Sequence, residues 1–71
     1  MWHTTLYTKV LYKDILCAVW KNELGNIYLT RSPEDTDATE WYNKAISYGF
    51  YEMHYGLIGL IIDDLSEITI L

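Results

Sequence analysis

The sequence predicts an α+β domain: a small antiparallel sheet of about four to six strands with a single amphipathic helix packed on one face, in the order β-β-β-α-β-β. Two observations carry that prediction. Short β-branched and aromatic runs fill the first 31 residues and return after Gly49, and between them an apolar period of 3.6 residues runs from Ala38 to Ile46. With 71 residues, 51% hydrophobic side chains, one Pro and four Gly, the chain has the composition of a packed unit but too little length for two cores. Residues 1–71 are therefore expected to form a single compact domain.

The elements follow in order. From Trp2 to Tyr12, Trp2, Leu6, Val10 and Tyr12 interleave with Thr4 and Thr8, a strand with poorly separated faces. "ILCAVWK", Ile15–Lys21, is apolar on both faces and reads as a central strand. "NELGN" supplies Asn22, Gly25 and Asn26, which tolerate positive φ, and "IYLTR" resumes the alternation, giving a hairpin with a loop of about four or five residues. In "SPEDTD", Ser32 suits an N-cap and Pro33 the first helical position, while Glu34, Asp35 and Asp37 would face the positive end of the dipole. A helix over Pro33–Tyr48 is expected, closed by Gly49. Its buried stripe would be Ala38, Trp41, Tyr42, Ala45 and Ile46, with Trp41 as core anchor. "FYEMHY", "LIGLII" and "EITIL" read as two or three more strands, with a helix over Leu57–Leu65 the less favoured alternative.

Little in the sequence points to catalysis. The lone Cys17 forms no internal disulfide, so a reducing, cytoplasmic setting is expected. The apolar run "GLIGLII" is far shorter than the ~20 residues of a membrane helix, and "MWHTTLYTK" lacks the pattern of a signal peptide. Cys17 with His54, or Glu52 with His54, are the available acid, base and nucleophile groups, yet Cys17 lies in the most apolar strand. No Gly-rich phosphate loop and no Cys-x-x-Cys occurs, and "EDTD" lacks the glycine and terminal Glu of a calcium loop. No enzyme activity, metal or cofactor is expected.

Charge and aromatics carry the functional expectation. Residues 1–31 hold a net +2 and residues 32–71 a net −7, an asymmetry unsuited to phosphate backbones and suited to a basic protein. A protein-binding module without direct nucleic-acid or membrane contact is expected, using Glu34, Asp35, Asp37, Glu40, Asp63 and Asp64 together with Tyr48, Tyr51 and Tyr55. In size and charge alone the chain resembles small acidic phage-encoded inhibitors that mimic nucleic acid, which would imply a partner with a basic nucleic-acid-binding surface. The eleven aromatic side chains exceed what so small a core hides. They raise the alternative of a self-associating assembly module, with a homodimer as its simplest form.

Overall fold

A computed structural model describes residues 4–71, apart from the side chain of His54. Trp2 and His3, at the start of the expected first strand, lie outside the described residues. The elements are β1 (Thr4–Tyr12), β2 (Ile15–Lys21), β3 (Ile27–Arg31), α1 (Ala38–Ser47), β4 (Tyr51–His54), β5 (Leu57–Ile62), a 3-10 turn (Leu65–Glu67) and β6 (Thr69–Ile70). All six strands join one antiparallel sheet in the order β4-β5-β3-β2-β1-β6. The expected α+β architecture is present.

The five residues Asn22–Asn26 turn β2 into β3. The Asn22 side-chain oxygen accepts from the backbone N–H groups of Leu24 (3.0 Å) and Asn26 (2.9 Å), and Gly25 supplies the positive φ. The core forms between α1 and one sheet face, where Val10, Ile15, Cys17, Val19, Leu29 and Ile62 meet Trp41, Ala45 and Phe50. The two small helix positions, Ala38 and Ala45, flank Trp41 in the stripe. Tyr42 and Ile46, expected to be buried with them, are exposed instead, at 38% and 54%. They sit one position round the helix from Trp41 and Ala45, which turns them to the flank of the packed stripe.

The helix begins at Ala38, five residues later than expected, and its N-cap is Asp37, whose carboxylate accepts from the Glu40 N–H (3.0 Å). Ser32 is not a cap, because a tertiary contact takes its hydroxyl. Fully buried, it donates to the Thr8 carbonyl (2.7 Å) and accepts from the Glu34 N–H (3.1 Å). β1 and β3 flank β2 and in a flat sheet would lie about 9–10 Å apart. Thr8 itself lies within the register shift of β1 between Tyr7 and Val10, where the ladder is interrupted. At the other end of α1, the Phe50 N–H bonds the Ala45 carbonyl (3.0 Å) and the Gly49 N–H bonds Ile46 (3.1 Å), with Gly49 at φ +102. This paired closure drives Phe50 into the core.

Candidate protein-binding surfaces

Two surfaces differ from what packing alone requires. The first is a groove of about 190 Å³ above Trp41, between the β1–β2 turn, the segment before α1 and the first half of the helix. Four carboxylates line it, Asp14, Asp35, Asp37 and Glu40, with Lys44 as the only cation. Each has local work. Asp35 accepts from Arg31 Nε (2.9 Å), while Arg31 Nη2 reaches the Asp35 carbonyl (3.0 Å), and this clamps the loop after β3. Asp37 caps α1. Lys44 Nζ lies 3.0 Å from Asp14 and 3.3 Å from Glu40.

In the sequence Asp14 is one charge among those of residues 1–31, yet in the fold it organises this end of the molecule. Its carboxylate accepts from both the Tyr48 hydroxyl and Lys44 Nζ. The preceding Lys13, at φ +58, holds its ammonium 4.9 Å from the Tyr48 ring centre and 5.5 Å from that of Tyr12. Bonding to Tyr48 and then Lys44 holds the Asp14 carboxyl below its ordinary value. The bond to Asp14 raises Tyr48, and Asp14 followed by Glu40 raises Lys44.

A depressed carboxylate contributes stability that is present above its unfolded value, 3.8, and is lost as pH falls through the folded value. The raised Lys44 and Tyr48 contribute below their unfolded values, 10.5 and 10.0, and lose that contribution as pH rises through the folded ones. Asp14→Asn is therefore expected to lower the urea midpoint at neutral pH. The difference from the parent should close as pH falls below about 3.8; a gap that stays constant down to pH 2 would show that the carboxylate charge is irrelevant.

The remaining expected site residues are dispersed. Glu34 is exposed and faces Lys9 at 3.9 Å. Asp63 and Asp64 follow Ile62, which pairs with Ile27 at the start of β3, whereas Ser32–Asp37 follow the end of β3. The two acidic groups thus stand at opposite ends of that strand, and Asp64 caps the 3-10 turn by accepting from the Ser66 N–H (2.8 Å). At the helix exit the ring of Tyr12 lies between Tyr48 and Phe50, with ring centres 6.4 and 5.6 Å away. Phe50 is in the core, 5.5 Å from Trp41, and Tyr48 is committed to Asp14. Tyr51 lies on β4, and Tyr55 is almost fully exposed in the β4–β5 turn.

Among the described residues no three His, Cys, Asp or Glu side chains gather as metal ligands. Cys17 is buried beneath Trp41, and burial above all pushes its thiol up to about 12, far from the thiolate a nucleophile needs. Glu52 turns to the Gly56 N–H (2.9 Å), while the side chain of His54, expected as a partner for Glu52 or Cys17, lies outside the described residues. Among the described residues no helix is long and apolar enough to cross a membrane.

The second surface is the sheet face turned away from α1. Cross-strand partners share a face, so the register places Thr5, Trp20, Tyr28 and Ile61 in one row and Ala18, Thr30, Gly59 and Tyr51 in the next. None of these eight residues is charged; Ala18, Tyr28, Thr30 and Gly59 among them are buried, and Tyr51 and Ile61 are exposed. Trp20 Nε1–H donates to Thr30 Oγ1 across the two rows (2.9 Å). At one margin a concave region of about 540 Å³ opens between Trp20, Leu57, Pro33 and Tyr42, with Arg31 also in its wall. The signal for this face was present in "ILCAVWK", apolar on both sides, which reads as burial on two sides although α1 covers only one.

No protein-family model, curated protein or solved structure matches this chain.

Proposed function

We propose that the chain acts by binding protein, and that the uncharged sheet face is its contact surface. One observation carries this reading: the cross-strand rows Thr5–Trp20–Tyr28–Ile61 and Ala18–Thr30–Gly59–Tyr51 hold no charge, and at their β4–β5 side Tyr51 and Ile61 are 47% and 46% exposed. An antiparallel sheet with one open face ordinarily presents alternating polar residues to water there. Exposed aromatic and aliphatic side chains such as Tyr51 and Ile61 in that position are instead the mark of an interaction site.

A second reading is favoured by the four carboxylates facing one lysine above Trp41. On that reading the acidic side docks on a basic protein surface that would otherwise hold nucleic acid, as an inhibitor would. The local pairing of Asp35, Asp37 and Asp14 weakens it, since those charges already have partners; Glu34 and Glu40 remain half exposed.

Capture from cell extract with tagged variants separates the two. Ile61→Lys places a charge on the sheet face, whereas the pair Asp37→Asn and Glu40→Gln neutralises the acidic side and keeps a capping residue at position 37. Loss of the captured protein with Ile61→Lys alone is the expected result. Loss with the neutral pair alone, together with steep salt sensitivity, would replace the sheet-face reading by the acidic one.

A further inference from the structure

We infer that the hollow at the margin of the sheet takes an acidic, apolar segment of a partner protein: an aromatic side chain seated against Trp20 and Tyr42, with a neighbouring carboxylate on Arg31. The inference rests on the protein-binding reading above and adds the chemistry of the partner.

The hollow holds about 540 Å³, inside the roughly 300–1,000 Å³ of ordinary ligand sites, and Trp20, Pro33, Tyr42 and Leu57 give it apolar walls. Those walls are held in place. The Trp20 indole N–H donates to Thr30 Oγ1 (2.9 Å), Tyr42 stands edge-on to Trp41 with ring centres 5.2 Å apart, and Pro33 has a fixed φ. A ligand ring meets side chains that are already ordered, which lowers the entropy cost of binding. Tyr42 keeps 38% exposure at this wall although its helix buries Trp41 and Ala45 on the sheet.

Charge selects the ligand. Arg31 is the one charged residue lining the hollow, and its ion-pair partner Asp35 lies in the wall of the groove above Trp41 instead. Asp35 holds Nε through its carboxylate and Nη2 through its backbone carbonyl, which fixes the guanidinium plane and leaves Nη1 bonded to no protein group among the described residues. No buried side-chain nitrogen or oxygen among those residues lacks a partner, so Nη1 is open to solvent. A fixed planar donor beside apolar surface suits a carboxylate, whereas a basic segment meets a like charge. A nucleic-acid backbone needs a row of cations, and one arginine on a chain of net charge −5 does not provide it.

The test is a heteronuclear NMR titration of the intact chain with two blocked peptides, acetyl-Ala-Asp-Phe-Ala-amide and the same peptide with Asn for Asp. The acidic peptide is expected to shift the Trp20 Nε1–H and Arg31 Nε–H resonances and to bind about tenfold more tightly than the neutral one, as a charge-assisted hydrogen bond requires. Arg31→Gln should remove that difference. Because it also frees the loop held by Asp35, Tyr42→Glu serves as the second variant, with circular dichroism to verify the fold. It sets a carboxylate into the wall and should abolish binding of the acidic peptide. Equal affinity for the two peptides, no shift at either resonance up to about 10 mM, or an acidic peptide indifferent to Tyr42→Glu overturns the inference. Equal peptide affinities with capture from extract lost to Ile61→Lys remove the hollow and leave the sheet-face reading standing. A preferred acidic peptide with capture lost to Tyr42→Glu but not to Ile61→Lys keeps the hollow and removes the sheet face.

Discussion

Trp41→Ala is expected to remove about 3–5 kcal/mol of stability, the largest effect of any single substitution considered for this chain. The indole is 2% exposed and wedged between α1 and the sheet, with ring centres 5.5 Å from Phe50 and 5.2 Å from Tyr42. Its Nε1–H donates to the Leu16 carbonyl (2.7 Å), so it also ties α1 to β2 across 25 residues of chain. Alanine would leave a cavity that Ala45 is too small to fill and would remove the shorter of the two donors to that carbonyl, leaving the Ser32 N–H at 3.3 Å. Against a total of ~5–15 kcal/mol for a domain, the loss would leave little. A urea midpoint close to the parent's would show that α1 is not held by this residue.

Gly59→Ala is expected to cost about 1–3 kcal/mol, although alanine is ordinarily the more favourable residue of the two in a strand. A Cβ at this position would fall 2.5 Å from the Met53 sulfur and 2.7 Å from the Leu29 carbonyl oxygen. The thioether can swing away. The carbonyl cannot, because it belongs to β3, the strand hydrogen-bonded to β5 at this point. Thermal melting of Gly59→Ala beside Met53→Ala separates the two contacts. If shortening Met53 restores the melting temperature of the double variant, the backbone contact is not the obstacle.

Much of the architecture was legible because it rests on local chemistry. "ILCAVWK" declares β2 to the residue, "NELGN" declares the turn that follows, and the spacing of Ala38, Trp41 and Ala45 declares the buried stripe. The start of α1 was not legible. "SPEDTDATE" holds two competing start signals, Ser32 with Pro33 and Asp37 with Glu40. What decides between them is the Thr8 carbonyl, 24 residues away, which takes the Ser32 hydroxyl. Asp14 was missed for a related reason. The two-residue turn Lys13–Asp14 carries neither Gly nor Asn, and the value of the carboxylate appears only once Lys44 and Tyr48 arrive from the helix. The sheet face required the register itself, since parity along one strand cannot say which side α1 will cover.

The strand order has a further consequence, for the time course of folding. β1, β2 and β3 form a meander whose turns span two and five residues, and β4 and β5 close a hairpin of two, so both pieces assemble through short loops. Joining them through β3 and β5 encloses α1, and the pairing of Val10 with Ile70 links residues sixty apart. Loop-closure entropy makes these long-range pairings the slow events. Until β6 arrives, the outer edge of β1 stands open beside an uncharged sheet face, and that is the interval in which this chain is most exposed to joining strands with the wrong neighbour.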